Sequence, residues 1–331
     1  MLRQSVIKML EACDNSIAGA CARLIPDRSA LLIFTFHSLF ASPQEIDRGL
    51  LDPQQGITTQ MFRQFVRDFT NHGYRFVSPR EILDGLETEA RAALITFDDG
   101  YYNNLRAVPL LEEFHLPAVF CISTNHVATG KAFWWDAFYR EARTKGWSSS
   151  RTDRVRSALK LLPTRDAERQ LSAEFGEAAL RPVSDLDRPM TSRELATLAA
   201  HPLAHLGNHT LDHAILSNYS RAEIKEQIAG AQDFIRGLTG KSPELIAYPN
   251  GNVSPEIAQT AQDAGLRLGV TVQPGRNRII DTRSRRKAME LKRFTLWAQR
   301  NLESQCRIAR SRFSVQATIS GLRGRSKVAF A

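Results

Sequence analysis

Two adjacent carboxylates follow an apolar stretch of this 331-residue chain. Residues 93–100 read ALITFDDG, so Asp98 and Asp99 come directly after a predicted strand. Neighbouring residues of a strand point to opposite faces, and both acids can face one site only if the strand stops there, which the turn permitted by Gly100 allows. Two such charges disfavour joint ionisation unless a cation compensates. The segment therefore predicts a cation site.

A second polar stretch supplies candidate ligands for that cation. Residues 205–213 read HLGNHTLDH, which spaces His209 and His213 four residues apart. On one turn of helix, both imidazoles would project from the same face and could hold one metal ion. Two histidines and one carboxylate leave positions open for water and substrate, which is the layout of a catalytic metal site.

Strand and helix patterns alternate along most of the chain. The predicted strands cover residues 31–36, 93–97, 117–123, 204–207, 244–248 and 266–272, and predicted helices include 58–72, 104–114, 221–238 and 255–264. Such alternation is typical of a parallel sheet with helices outside it. Functional loops of these folds gather at the carboxyl ends of the strands. His37 follows a strand, as the two acids do, so we expect it on the same side.

Three segments are predicted. An amphipathic helix covers residues 1–27, a single α/β body covers 28–297, and a basic tail covers 298–331. The alternation breaks over about 125–200, which we interpret as a mainly helical insertion over one end of the body. Residues 276–331 hold 15 Lys and Arg against three Asp and Glu, whereas the rest of the chain is slightly acidic. The tail is read as a solvated segment, with contact to an anionic membrane surface as the alternative.

The remaining composition limits location and class. Hydrophobic content of 43% and charged content of 24% are globular values. Acidic and amide residues interrupt the first 28 residues where a secretion signal would be apolar, which predicts a cytoplasmic protein, with peripheral contact at the inner membrane surface as a further possibility. The four cysteines form no CxxC pair, which favours reduced thiols. Nucleic-acid binding has only the basic tail in its favour and is not expected.

Three motifs resemble the polysaccharide deacetylases of carbohydrate esterase family 4, which share the NodB-homology fold. They are TFDDG at 96–100, HTLDH at 209–213 and AYPNG at 247–251. The resemblance implies an irregular (β/α) barrel of about seven strands, which agrees with the alternation. It also implies hydrolysis of an N-acetyl group on an amino sugar, with release of acetate.

The resemblance assigns roles to the matching positions. Asp99, His209 and His213 would bind one divalent metal ion, with zinc favoured and cobalt, nickel or iron as alternatives. Asp98 would be the general base that takes a proton from the attacking water. The backbone N–H of Asn250 would steady the oxyanion. Two further residues of the third motif, Tyr248 and Pro249, would form a wall of the groove.

Two departures from the family pattern stand out. Ala247 occupies the place of an arginine that usually pairs with the base, and Arg293 replaces a histidine that usually acts as general acid. Our hypothesis is that Arg293 supplies the missing partner of Asp98 from another strand end. His37 then becomes the candidate general acid, with a purely orienting role for His37 as the equal alternative.

Aromatic residues and substrate leave further alternatives. Trp135 could stack on a sugar ring, or it could pack the insertion onto the body. Asp136 is read as a substrate contact or a helix cap. A cytoplasmic enzyme would act on a saccharide or lipid-linked glycan precursor. The alternatives are an amidase acting on a non-sugar amide and a catalytically silent carbohydrate-binding relative.

Overall fold

The computed structural model describes residues 30–87, 89–278 and 285–311. The predicted N-terminal helix and residues 312–331 of the predicted tail lie outside this part of the chain. The strands are β1 (Ala30–Phe36), β2 (Arg75–Phe76), β3 (Arg91–Phe97), β4 (Ala118–Ile122), β5 (Ala204–Asn208), β6 (Leu245–Ala247), β7 (Leu268–Val270) and β8 (Phe294–Thr295).

Helices surround these strands. They are α1 (Pro43–Asp47), α2 (Thr59–Asn71), α3 (Pro79–Asp84), α4 (Val108–Phe114), α5 (Thr124–Thr129), α6 (Trp134–Thr144), α7 (Ser149–Leu159), α8 (Thr164–Phe175), α9 (Ser192–Ala200), α10 (Arg221–Thr239), α11 (Pro255–Asp263), α12 (Arg285–Ala288) and α13 (Leu302–Arg310). Short 3-10 helices cover Tyr102–Ala107, Glu177–Leu180, Leu216–Asn218 and Pro249–Gly251. None of the helices described is long and apolar enough to cross a membrane.

The strands form one parallel sheet in the order β7-β6-β5-β4-β3-β1-β8, with β2 paired to β3. The sheet curves into an irregular half-barrel, which confirms the predicted fold class. All seven residues of β1 are buried. Burial on both faces explains why the strands lack the polar alternation of a half-exposed sheet.

Helix α2 shows how the outer layer packs on this sheet. The Thr58 side chain accepts a hydrogen bond from the Met61 amide and caps the helix start. The buried face of α2 carries Phe62, Phe65, Val66 and Phe69, which recur at helical spacing. The Phe34 ring of β1 meets the Phe65 ring edge-on at a centroid distance of 4.8 Å. This aromatic packing holds β1, and hence the residues that follow it, in place.

The last strand segment closes the gap between β7 and β1. Thr271 donates a backbone hydrogen bond to Leu291 O, and Arg293 donates one to Gln273 O. Two residues later the same segment pairs with β1 as β8, with Thr295 opposite Thr35. Arg293 therefore lies where the first and last strands meet.

The segment between β4 and β5 is helical, as predicted for the insertion. It holds α5 to α9, and its core contains Phe133, Trp134, Trp135 and Phe138. The predicted tail begins differently from the expected solvated chain. Its described part contains α13, which packs against α2 and buries Cys306 and Ala309 in the main core.

Candidate active site

The predicted site residues converge at one end of the half-barrel. His37 follows β1, Asp98 follows β3 and His209 follows β5. The register sets β1 and β3 level, because Phe36 pairs with Phe97 and the Asp98 amide donates to Phe36 O at 2.8 Å. These side chains therefore emerge together at the carboxyl ends of parallel strands, where α/β folds place their sites.

Asp98 is buried and paired with Arg293. The guanidinium Nη1 lies 2.8 Å from Asp98 Oδ1, and Nη2 lies 2.8 Å from Oδ2. Nη1 also donates to Thr96 Oγ1 and Nε donates to Thr271 O, so the arginine is held from several sides. Thr35 Oγ1 adds a weaker hydrogen bond to Asp98 at 3.2 Å. The contact proposed for Arg293 from the sequence is thus present in a bidentate form.

This pairing keeps Asp98 ionised. Burial by itself would raise the pKa of Asp98, but the Arg293 charge, with smaller contributions from His209 and His37, holds that pKa well below its usual range. The side chain is therefore a carboxylate at neutral pH. A carboxylate in this position can accept a proton from a water molecule in the cleft.

Asp99 is equally buried, but neither of its oxygens has a hydrogen-bond partner among the residues that the structure describes. The nearest polar atoms to Oδ1 are His209 Nε2 at 3.3 Å and His213 Nε2 at 3.4 Å. One potential ligand atom from each of the three residues falls within 4.8 Å of the others. An unsatisfied buried carboxylate facing two imidazole nitrogens is costly unless a cation binds there.

The donor chemistry fits a divalent transition metal. His209 Nδ1 lies 2.6 Å from Ala247 O, so Nδ1 carries a proton and Nε2 is the nitrogen directed toward Asp99 for a ligand bond. Burial opposes a charged ring, but the Asp99 and Asp98 carboxylates raise the pKa of His209, so a metal would take the place of a proton on Nε2. Burial lowers the pKa of His213 to about 3, which keeps that ring neutral. Two imidazole Nε2 atoms and one carboxylate suit zinc and its neighbours and leave coordination positions open.

The two histidines do not lie on a helix, so that expectation was wrong. Residues 209–213 form a turn in which Thr210 and His213 have φ angles of 64° and 53°. Such left-handed values are incompatible with a right-handed helix. The Thr210 hydroxyl accepts a hydrogen bond from the Ala214 amide, which stabilises the turn. The imidazoles converge through this turn and not through helical spacing.

Left-handed backbone is concentrated at the site. Six described non-glycine residues have positive φ, and all except His115 line the cleft or adjoin residues that do; the five are Gln54, Asp99, Thr210, His213 and Asn250. The φ of 77° at Asp99 is the reason that two consecutive acids can serve one site. Such conformations cost about 1–3 kcal/mol each and persist where the surroundings impose them.

His37 lies in the same cleft, and a neighbouring glutamine fixes its ring. Its Nδ1 is 3.0 Å from Gln55 Oε1, and its backbone N–H donates to the same oxygen at 2.9 Å. Gln55 Nε2 in turn donates to Thr35 O. Because an amide oxygen only accepts, His37 Nδ1 carries a proton and Nε2 is the atom available for proton exchange.

The predicted wall residues differ in exposure. Tyr248 and Pro249 are buried, and within the described ranges the Tyr248 hydroxyl has no hydrogen-bond partner. Asn250 is exposed and lines the cleft. Trp135 is only 8% exposed, yet its ring contacts the cleft and lies 4.4 Å from the His213 ring. Of its two predicted roles, packing is present, and contact with a sugar stays a prediction.

Trp135 belongs to a buried polar network. Its Nε1 donates to Tyr101 Oη at 2.9 Å, and that hydroxyl donates to Asp136 Oδ2 at 2.6 Å. Asp136 Oδ1 also accepts from the Asp52 amide. Asp136 is fully buried, so it is a structural link between the insertion and the loop after α1 and not the substrate contact considered from the sequence.

Several site residues escaped sequence reasoning. The carboxylates and histidines form the base of a cleft of about 800 Å³, within the size range of small-molecule sites. Its rim includes Asp52, Arg156, Lys160 and the exposed Trp297. Arg156 and Lys160 come from the insertion, whose placement over the cleft depends on tertiary packing. No local motif marks them.

Solved structures share this fold. A deacetylase of Streptococcus pyogenes, PplD, determined with acetate, superposes with a TM-score of 0.56 at 17% identity, covering 84% of this chain and 96% of that one. IcaB of Ammonifex degensii gives a TM-score of 0.57 at 17% identity, covering 85% and 97%. At these identities the likeness concerns the fold.

Sequence comparisons identify the family. The Bacillus subtilis protein YxkH, a polysaccharide deacetylase by name, is 24% identical over 86 residues, which is 26% of this chain and 30% of that protein. The match thus spans about a third of that relative. The family model for polysaccharide deacetylase matches residues 85–269, more than half of the chain. The protein therefore belongs to the polysaccharide deacetylase family.

Proposed function

We propose that the protein is a metal-dependent hydrolase that removes the N-acetyl group from an amino sugar of a saccharide or glycan precursor and releases acetate. One observation supports this most directly. A buried, unpartnered carboxylate, Asp99, faces two imidazole Nε2 atoms beside an arginine-paired carboxylate, Asp98. Hydrolysis needs a cation site and a general base, and both lie at the bottom of one cleft.

The metal would be held by Asp99, His209 and His213. When bound, it would supply Lewis-acid activation of water and of the amide carbonyl. Zinc is the favoured ion, and cobalt, nickel and iron suit the same ligands. Ala247 O supports this role by holding His209 with Nε2 directed toward Asp99.

Asp98 would act as general base. Its Arg293 pair keeps it anionic despite its burial, and in the cleft it can take a proton from the water that attacks the acetyl carbonyl. The Asn250 N–H, by family resemblance, would donate to the developing oxyanion. His37 Nε2 would return a proton to the leaving nitrogen. Water and the amide are thereby converted into acetate and a free amine.

Arg293 also bears on the silent-protein alternative. Loss of the usual arginine at Ala247 favoured the silent-protein alternative. The proposed general base, Asp98, nevertheless has a bidentate contact with a guanidinium, that of Arg293, which comes from a different strand end. A catalytically silent cleft would not need a replacement partner for Asp98. Action on a non-sugar amide and action on a lipid-linked precursor are outcomes of the test below. Contact with an anionic membrane at the cytoplasmic face is a separate proposal.

The first test measures acetate and metal on the same preparations. Wild type and Asp98→Asn are incubated with N-acetylated saccharides, lipid-linked precursors and simple amides. We expect acetate from wild type with a saccharide, a loss of about 10²–10⁴-fold in Asp98→Asn, and about one metal per chain in both. Bound metal without acetate from any saccharide would contradict the sugar deacetylase proposal. Absence of metal from wild type would contradict the ligand assignment.

A further inference from the structure

The helical insertion brings positive charge to the rim of the cleft. Helix α7 ends at Leu159, and its last turn and C-cap place Arg156, Ser157 and Lys160 on the lining. These residues lie about 50 positions away from any of the three family motifs. The base of the cleft is therefore built by the barrel, and part of its rim is built by the insertion.

This part of the rim is fixed to the barrel. Asn218 Nδ2, in the short helix after the metal-ligand turn, donates to Lys160 O at 2.9 Å and to Leu162 O at 3.2 Å. The neighbouring Tyr219 hydroxyl accepts from the Thr164 amide at 2.7 Å. The end of α7 therefore keeps a defined position relative to His213. Its charges act at a fixed place in the cleft.

The charges of the cleft do not all cancel. Asp98 pairs with Arg293, and Arg156 pairs with two carboxylates, through Nη1 with Asp52 Oδ2 at 3.2 Å and through Nη2 with Asp153 Oδ1 at 2.6 Å. Asp99 belongs to the cation site. Within the described part of the chain, no carboxylate forms a salt bridge with Lys160, an exposed residue that lines the cleft. The Lys160 ammonium, beside a guanidinium that two carboxylates already pair, is therefore the charge that remains to meet the substrate.

We propose that Lys160, with Arg156 beside it, binds an anionic group of the substrate, a phosphate or a carboxylate attached near the N-acetylated sugar. The inference rests on the proposed function, since it names the substrate class of the same cleft. Lysine binds phosphate as a point charge, and arginine adds directed donors. A neutral homopolymer of N-acetylated sugars would leave this charge unpaired in the complex.

A lysine at a helix C-terminus can also serve only the helix dipole. That role would not affect ligand choice, so binding can separate the two. Lys160→Gln is the cleaner variant, because loss of Arg156 would also leave Asp52 without its ion pair. Arg154→Gln is the matched control, since Arg154 is an exposed cation of the same helix and does not line the cleft.

The experiment is calorimetric binding to the metal-loaded full chain. Three disaccharides are compared, one neutral, one with a reducing-end phosphate and one with a uronic carboxylate. Each carries N-methanesulfonyl in place of N-acetyl and so has no carbonyl to hydrolyse. We expect wild type to bind at least one anionic ligand about tenfold more tightly than the neutral one, with a preference that weakens as salt rises. The anionic ligand that binds more tightly than the neutral one identifies the kind of anion that the cleft binds.

Lys160→Gln should remove the preference, and Arg154→Gln should retain it. Equal affinity of wild type for all three ligands, no binding of any, or a preference that survives Lys160→Gln would each overturn the inference. Acetate release is not used here, so failure of the deacetylase proposal is seen separately in the earlier assay. A measurable anion preference without acetate from any saccharide would support the anion site and reject only the chemistry.

Discussion

Asp98 and Asp99 are neighbours in sequence, end the same strand and are both buried, but the structure treats them in opposite ways. Asp98 receives two guanidinium hydrogen bonds and one hydroxyl. Asp99 receives none and faces two imidazoles. Burial is equal, so the difference lies in the partners. Folding supplies partners for one carboxylate, whereas the other has the surroundings that the proposed cation would satisfy.

The largest effect is expected from removing the partner of Asp98. Arg293→Met would leave a buried carboxylate unpaired, and we expect a loss of about 3–5 kcal/mol in the free energy of unfolding, measured in urea. The double variant Asp98→Asn with Arg293→Met should recover part of this loss, because the uncompensated charge is gone. Strict additivity of the two substitutions would show that the pair is not coupled. Arg293→Lys serves as the milder variant if the first does not fold.

This pair also shows what the sequence could predict. Strand-end position and the absence of the usual arginine at Ala247 were enough to suggest that Arg293 faces Asp98. These sequence features could not show which structural element brings Arg293 to Asp98. The reach depends on the segment that hydrogen-bonds to both β7 and β1, and that closure joins residues far apart in the chain.

The residues of the proposed metal site were selected for a partly wrong reason. Spacing of four suggested a helix, whereas a left-handed turn brings His209 and His213 together. Motif identity was sufficient where local geometry was not, because positive φ at non-glycine residues has no clear sequence signature. Arg156 and Lys160 could not be found at all, since their place over the cleft follows from packing of the insertion.

A second substitution tests whether His37 takes part in proton transfer together with Asp98. His37 lies beside both acids, and Gln55 orients its ring. His37→Gln should lower kcat by about 10²-fold or more while metal content stays unchanged, because a positioned general acid contributes at least that much. His72→Gln, at an exposed histidine on the end of α2, is the control. Wild-type turnover in His37→Gln would remove the general-acid role.

Substitution of Asp99 tests whether this carboxylate binds the proposed metal ion. Adding metal at about 100 times its Kd should stabilise wild type by about 2.7 kcal/mol, and Asp99→Asn should gain nothing. With chelator present, Asp99→Asn should be at least as stable as wild type, because it removes an unpartnered buried charge. Thermal unfolding with and without metal measures both quantities.

Asp212 supplies the matched control for that test. It lies between the two histidines in the same turn, but Asn125 and Gln227 side chains already donate to its carboxylate. Asp212→Asn should therefore keep the stabilisation by metal. Equal loss of metal stabilisation in both variants would mean that the turn as a whole, and not the Asp99 carboxylate, holds the ion.

The smallest effect is expected at an exposed version of the Asp98 pair. Arg188 Nη1 and Nη2 lie 2.8 and 2.9 Å from the Glu194 oxygens, the same bidentate contact at the start of α9. Glu194 also accepts from the Thr191 amide in a capping box. The Arg188 hydrogen bond, with these contacts, lowers the pKa of Glu194 from 4.5 to about 2 despite partial burial.

A lowered folded-state pKa adds stability above the unfolded value, and that stability is lost as the pH falls through the folded value. Glu194→Gln should therefore cost about 1 kcal/mol at pH 7, since solvent screens this partly exposed pair and the cap is weakened. The difference from wild type should shrink as the pH falls from about 4.5 toward 2. Urea unfolding across this range measures it. A cost as large as that of Arg293→Met would mean that burial is not what separates the two pairs.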